Sequence, residues 1–171
     1  MTAVVFYFQV HQPYRLKPYK PADVGGRKRY FDTPVNRAIV RRVAKRCYVP
    51  MNELLLDRIE ATDGRFRCAF SLSGTVIQQM KDWAPKALDS FVRLADTGCD
   101  EVLGETSHHS LAFDGDPLEF REQVVNHGAV VEDLFGRRPT TFRNTELVID
   151  EPLTHWVEEL GYDGLLGEGA D

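Results

Sequence analysis

Polar side chains suited to catalysis follow three of the apolar segments of this sequence. His11 and Gln12 come directly after the apolar run VVFYFQV at residues 4–10. Residues 104–110 read GETSHHS and contain a carboxylate and two imidazoles. Residues 143–146 read RNTE and combine a guanidinium, an amide and a second carboxylate. Such groups transfer protons, attack electrophilic carbons and bind hydroxyl groups.

Each of these three groups also has a plain structural interpretation. A single histidine at the end of a strand is more often structural than catalytic. His108 and His109 would point to opposite faces of a strand, and Glu146 could cap a helix or pair with Arg143. The three groups together are more specific than any one of them, and they predict one active site if the fold brings them together.

The elements that must position these groups alternate between strand and helix. Apolar and β-branched runs predict strands at residues 4–10, 65–72, 99–103, 140–143 and 163–166. Helical spacing lies between them, and the predicted starts are Thr33 as N-cap, the vicinity of Pro50, Gly74, Asp116 and Asp150. Gly98, Gly136 and Gly161 are the predicted helix ends.

This order of strands and helices predicts an α/β fold with a parallel sheet and right-handed crossovers. The segment lengths allow an open doubly wound sheet or part of a barrel. In either case the carboxyl ends of the strands lie at the same edge of the sheet, the carboxyl edge. Ligands bind at this edge in such folds. The first strand is expected to be buried. No helix follows the last predicted strand, so we expect a fragment of a longer barrel that is poorly stable or self-associates when isolated.

Composition argues against several classes of partner. The 171 residues carry a formal net charge of −5 and are 43% hydrophobic, which predicts one globular domain and disfavours nucleic acid and membranes as partners. The sequence has no signal-peptide pattern, so we expect a cytoplasmic protein. Cys47, Cys68 and Cys99 form no CxxC pair and are expected to be buried free thiols.

The three polar groups also carry a family resemblance. The segments FQVHQPYRL, GETSHHSL and FRNTELV resemble the first three conserved regions of glycoside hydrolase family 57, in its α-amylase-like branch, and LGEGAD near the C-terminus resembles that branch too. That family has an incomplete, seven-stranded (β/α) barrel. The resemblance implies that residues 1–171 are a truncated, N-terminal portion of the catalytic domain, with about five of the seven strands. It also implies a retaining hydrolase or glucanotransferase that acts on α-glucans without a cofactor.

The same resemblance implies roles for individual residues. Glu146 stands at the position of the catalytic nucleophile, and His11 at that of a histidine lining the sugar subsite where cleavage occurs. Glu105 and His109 belong to the second region, which lines the substrate cleft. The family's general acid is an aspartate of a fourth region that these 171 residues do not contain. The expected partners are therefore the α-glucan and the C-terminal remainder of the same protein.

Two further residues complete the predicted substrate-binding set. Gln12 can hold sugar hydroxyls, and Arg143 would favour the ionised form of Glu146 if its side chain reaches the carboxyl edge. Tyr14 and Trp83 could stack on sugar rings, although Trp83 in a helix is expected to belong to the core. Retaining hydrolysis further requires two carboxyl groups about 5–5.5 Å apart.

Two other functions remain open from the sequence. A carbohydrate deacetylase would need a metal, and the candidate ligands are His11, His108, His109 and Asp114, although their spacing is not a recognised ligand pattern. A non-catalytic carbohydrate-binding fragment would bind sugar without turnover.

Overall fold

A computed structural model describes residues 4–169 as five parallel strands with helices between them. The strands are β1 (Phe6–Val10), β2 (Cys68–Leu72), β3 (Asp100–Leu103), β4 (Thr141–Arg143) and β5 (Gly164–Leu166). The helices are α1 (Thr33–Val43), α2 (Val49–Ala61), α3 (Gly74–Trp83), α4 (Pro85–Asp96), α5 (Ala112–Gly115), α6 (Pro117–Phe135) and α7 (Glu151–Glu159). The five strands occur in the predicted order, which confirms the α/β prediction.

The strands pair in chain order, and a single bridge joins the two halves of the sheet. β1 pairs with β2 and β2 with β3 in parallel register, and β4 pairs with β5. Gly104, just after β3, donates from its amide to the Thr141 carbonyl and accepts from the Arg143 amide, both at 2.8 Å. A Cβ at residue 104 would overlap the Tyr162 ring, so only glycine fits there. Within residues 4–169 the strands do not close into a barrel.

The prediction that the first strand is buried is wrong for most of its length. β1 begins at Phe6, which is 48% exposed, and Val10 is its one fully buried residue. Val4 and Val5, which the prediction included in the strand, precede it and are exposed. The reason is that β1 lies at an edge of the described sheet and has β2 as its sole strand neighbour there.

The helix boundaries follow local capping chemistry. The N-cap of α1 is Asp32, not the predicted Thr33, because the Asp32 carboxylate accepts the Val35 amide at 3.3 Å. Asp116 and Asp150 cap α6 and α7 as predicted. Gly136 ends α6 with φ of 70°, a conformation that glycine adopts without strain.

The predicted pair of helices before β2 is continuous in the structure. A π-helical segment, Ala44–Tyr48, joins α1 directly to α2. Pro50 lacks an amide proton and cannot complete the regular α-helical ladder, and the wider turn accommodates it. α5, a short helix after the GETSHHS segment, was not predicted.

Two apolar clusters hold the helices on the sheet. The first joins α1–α4 to the outer face of β1–β3 and includes Phe70, Leu72, Met80 and Leu94. The second joins α6 and α7 to β4 through Phe120, Phe142 and Leu153. α6 contributes to both, because Val131 lies in the first cluster and Phe120 in the second.

The cysteine prediction is correct for two of the three side chains. Cys68 and Cys99 are buried, and burial raises the pKa of the Cys68 thiol to about 11. Cys47 is exposed on the π-helical segment, contrary to the prediction. None of the helices in the described part of the chain has both the length and the apolarity that a membrane crossing needs.

We expect Phe120→Ala to lower the free energy of unfolding by about 3–5 kcal/mol, because it empties a site at the centre of the second cluster. Phe120 is 0% exposed and contacts the rings of Phe142 and Trp156. Leu118→Ala, at a residue on the same helix that is 79% exposed, is the control and should change it by less than about 0.5 kcal/mol. Urea denaturation measures both. Equal effects would contradict this account of the core.

Candidate active site

The carboxyl edge of the sheet brings together the three polar groups that the sequence predicts to converge. His11 follows β1, Glu105 and His109 follow β3, and Glu146 follows β4. His109 lies at the centre of this group. Its Nε2 is 3.4 Å from Glu146 Oε1, and its Nδ1 is 3.9 Å from Glu105 Oε2. The His109 imidazole therefore lies between the two carboxylates.

His11 forms the other wall of this group. Its ring stacks on that of His109, with centroids 4.1 Å apart and an angle of 19° between the planes. Its Nδ1 is hydrogen-bonded to Ser73 Oγ at 2.7 Å, and Ser73 Oγ also contacts Thr75 Oγ1 at 3.0 Å. The loop after β2 thus fixes the orientation of the His11 ring and leaves Nε2 available.

Glu105 and Arg143 form a buried pair beneath His109. Glu105 is 1% exposed, and the Arg143 NH1 is 3.9 Å from Glu105 Oε2. Arg143 was predicted to favour the charge of Glu146, but its neighbouring carboxylate in the structure is that of Glu105. The alternation of β4 explains this placement: Phe142 packs against the helices, so Arg143 points to the opposite face. Its direct role toward a substrate stays a prediction.

Glu146 occupies a strained turn and is well exposed. Its φ is 59° and that of Leu147 is 60°, which for residues with side chains costs of order 1–3 kcal/mol each. Hydrogen bonds to Leu147 maintain the turn, because its amide donates to the Asn144 carbonyl at 3.0 Å and its carbonyl accepts from the Glu168 amide at 2.9 Å. The turn leaves the Glu146 side chain 65% exposed, beside His109.

Several buried polar atoms at the carboxyl edge have no partner within the described residues. They are Oε1 of Glu105, Nδ1 of His109, Nε and NH1 of Arg143, Oδ1 of Asn144 and Oε1 of Gln79. Five of the six belong to Arg143, the last residue of β4, or to the segments after β3 and β4. Buried polar groups are normally satisfied by protein, water or ligand, and residues 4–169 supply no partner for these six atoms.

Gln12 lies outside the group formed by His11, His109 and the two carboxylates. Its Oε1 accepts from the Arg15 guanidinium at 3.2 Å, and its amide nitrogen is 3.5 Å from the Tyr48 hydroxyl. Its predicted contact with sugar stays a prediction. Trp83 is partly buried against the first apolar cluster, and Tyr14 meets it edge-on at 6.4 Å.

The metal-ligand set that a deacetylase would use is not assembled. His108 and Asp114 are both exposed, and the ring faces of His11 and His109 are stacked on each other. No group of three or more His, Cys, Asp or Glu side chains in residues 4–169 has the geometry to hold a metal ion.

The structure adds residues that sequence reasoning missed. Ser73 caps α3 by accepting the Val76 amide, and this N-cap position was a recognisable signal. His127 on α6 and Gln123 one turn earlier contact the segment after β3. Neither had a sequence signal, because each lies within an ordinary amphipathic helical pattern.

We expect the pKa of His11 to lie below the usual value of about 6.5 and to rise partway toward it in His109→Gln. Burial lowers this pKa first, and repulsion from His109 lowers it further. Proton NMR titration of the His11 ring measures both values. His155→Gln, at an exposed residue of α7, is the control and should leave His11 unchanged. An unaltered His11 pKa in His109→Gln would contradict the stacked arrangement.

A second prediction concerns the buried pair. Arg143→Met should destabilise the fold by about 3–5 kcal/mol, because it leaves the Glu105 charge buried without compensation. Adding Glu105→Gln should restore part of the loss. Arg93→Met removes an exposed pair with Glu53 and should cost no more than about 1 kcal/mol. Chemical denaturation of these three variants and of the unaltered chain tests this, and a double variant no more stable than Arg143→Met would refute it.

Comparison with known proteins identifies relatives of this chain. The sequence profile of glycosyl hydrolase family 57 matches residues 5–171. The chain is 34% identical over 173 residues to a protein named "Putative alpha-amylase" from Methanocaldococcus jannaschii, covering 98% of this chain and 36% of that protein. The chain therefore spans little more than a third of the length of this curated relative.

Solved structures show how widely the fold is shared. The 4-alpha-glucanotransferase of Thermococcus litoralis superposes with a TM-score of 0.71 at 17% identity, over 94% of this chain and 21% of that enzyme. Peptidoglycan deacetylase PdaC of Bacillus subtilis superposes with a TM-score of 0.52 at 17% identity, over 95% of this chain and 56% of that one. These likenesses concern the fold alone. The profile match covers nearly the whole chain and confirms the resemblance seen in the sequence, so the chain belongs to glycosyl hydrolase family 57.

Proposed function

We propose that this chain is the N-terminal portion of a catalytic domain that cleaves or transfers α-glucans with retention of configuration, and that Glu146 is its nucleophile. The observation that carries the proposal is the Glu146 carboxylate, 65% exposed on a strained turn at the carboxyl edge and held beside His109. Strained backbone of this kind is concentrated at active sites.

The five strands are the first part of an incomplete seven-stranded barrel in this proposal. The chain spans 36% of its M. jannaschii relative, and its sheet is open between β1 and β5. Further strands would continue from these edges and enclose the carboxyl edge. The general acid, the aspartate that the family resemblance implies, would come from one of them.

The chemistry begins with attack by a Glu146 oxygen on the anomeric carbon of the sugar. The bond from that carbon to the glycosidic oxygen breaks, and the general acid gives its proton to the departing oxygen. Water or a sugar hydroxyl then attacks the same carbon and releases Glu146, while the ionised acid takes back a proton. The choice between water and sugar decides between hydrolysis and transfer.

The two carboxylates near His109 have different roles because of their exposure. Glu146 faces solvent and is free to reach a substrate. Glu105 is 1% exposed and lies 3.9 Å from both His109 Nδ1 and Arg143 NH1, so its oxygens face those side chains and do not reach a glycosidic oxygen. This burial argues against Glu105 as the general acid.

His11 serves as a neutral hydrogen-bonding group toward the sugar. Burial and the neighbouring His109 lower its pKa, so the ring is uncharged near neutral pH. An uncharged ring beside the anomeric carbon adds no repulsion to the positive charge that develops there in the transition state. Its Nδ1 is engaged by Ser73, which leaves Nε2 for a sugar hydroxyl.

The test is covalent labelling of the full-length enzyme with a mechanism-based fluoro-sugar, followed by peptide mass spectrometry. We expect the label on Glu146, because it is the exposed carboxylate of the site. Glu146→Gln should abolish labelling and turnover, whereas Glu151→Gln, at an exposed residue of α7, should leave both intact.

Labelling of a different residue would overturn the assignment of Glu146. Sugar binding without labelling or turnover would instead favour a non-catalytic carbohydrate-binding protein. Turnover that requires stoichiometric metal and releases acetate would favour a deacetylase.

A further inference from the structure

One buried histidine lies under the active-site segments and belongs to none of them. His127, in the middle of α6, is 0% exposed. Its Nδ1 is 3.3 Å from the Glu105 amide nitrogen, and its Nε2 is 2.8 Å from the Leu72 carbonyl oxygen. The ring therefore joins the end of β2 to the first residues after β3.

The two partners determine which ring nitrogen carries the proton. A backbone amide donates only, so Nδ1 must accept from Glu105. A carbonyl accepts only, so Nε2 must donate to Leu72. The neutral ring with its proton on Nε2 satisfies both bonds. Burial lowers the pKa of His127, which agrees with a ring that stays neutral.

Both bonds involve backbone groups at or next to residues of the proposed site. Leu72 precedes Ser73, whose hydroxyl holds His11. The Glu105 amide belongs to the residue whose carboxylate lies between His109 and Arg143. The His127 ring thus sets the distance between the supports of His11 and of Glu105.

α6 holds the same segment at a second place. The Gln123 side chain accepts the His108 amide at 3.2 Å, and the Gln123 carbonyl accepts the Ser107 hydroxyl at 3.0 Å. Gln123 and His127 are four residues apart and lie on one face of the helix. Both are buried. This face of α6 therefore holds the segment after β3 through hydrogen bonds as well as through packing.

We propose that His127 is a positioning residue of this enzyme, which aligns His11 and Glu105 by bonding the ends of β2 and β3 through opposite nitrogens of one ring. The proposal rests on the function proposed above for the relevance of those two residues to catalysis. The alignment itself does not depend on the reaction.

The first experiment uses the unaltered chain. Long-range proton–nitrogen NMR should show His127 with a bare Nδ1 and a protonated Nε2 at pH 7, and the Glu105 amide should exchange slowly with solvent. A ring protonated on Nδ1, or on both nitrogens, would overturn the proposal because neither form can make both bonds.

The second experiment compares two substitutions. His127→Gln keeps an acceptor and a donor on one planar group, whereas His127→Leu keeps the bulk and removes both. We expect the NMR titration of His11 to be preserved in His127→Gln and displaced in His127→Leu. In the full-length enzyme, kcat/KM should fall about 100-fold in His127→Leu and only a few-fold in His127→Gln.

Val131→Ala, one turn further along α6 and 1% exposed, is the matched control for lost packing. It should destabilise the fold while leaving the His11 titration and kcat/KM near those of the unaltered protein. The proposal fails if Val131→Ala costs as much activity as His127→Leu, or if His127→Leu leaves the His11 titration unchanged. If His127→Leu does not fold, His127→Gln decides: a preserved His11 titration supports the proposal and a displaced one refutes it.

The outcomes separate this proposal from the assignment of Glu146. Labelling of another carboxylate would remove the nucleophile but leave the ring's proton position and the titrations as tests of alignment. Labelling of Glu146, with no effect of either His127 substitution, would reject the positioning role alone.

Discussion

The buried charge pair of Glu105 and Arg143 constrains the positions of the other polar side chains at the carboxyl edge. Both side chains are almost fully buried, and a buried charge is tolerated only beside a compensating one. Their nearest nitrogen and oxygen are 3.9 Å apart, and several of their polar atoms have no partner within residues 4–169. The arrangement is therefore costly for stability, and the fold maintains it through the strand ends that carry the two residues. The His109 ring lies beside Glu105 of this pair, and Glu146 lies on the other side of that ring.

Because of this constraint, two carboxylates that behave alike in water have different environments in the protein. The buried one, Glu105, faces His109 and Arg143, and the exposed one, Glu146, is the proposed nucleophile. A similar division applies to the histidines, because His11 is kept neutral by burial and by its stacked neighbour, while His127 is fully enclosed and serves as a bond between backbone groups. Environment, more than residue type, assigns the role of each group.

The sequence alone was sufficient for the order of the strands and for the residues that follow them. His11 and Glu146 could be placed at one edge, because parallel strands deliver their carboxyl ends to the same side. The sequence could not predict which side chains connect the strand ends. No local pattern distinguishes the buried His127, which makes such a connection, from an apolar position of an amphipathic helix. Asp32 and Thr33 are both good N-caps, and the choice between them depends on which side chain faces the amide of the first turn. The exposure of β1 depends on which strands lie beside it, which its own residues do not encode.

The sheet contains a seam where β3 meets β4, bridged at Gly104, with a different apolar cluster on each side. The proposed site lies across this seam: His11 and His109 belong to one half, and Glu146 to the other. α6 is packed into both clusters and so acts as a brace between the halves. A small opening of the seam would lengthen the 3.4 Å contact between His109 and Glu146 without unfolding either half. The spacing of the proposed catalytic groups therefore depends on how rigidly the two packing units are joined, and this rigidity limits how accurately the proposed nucleophile is positioned.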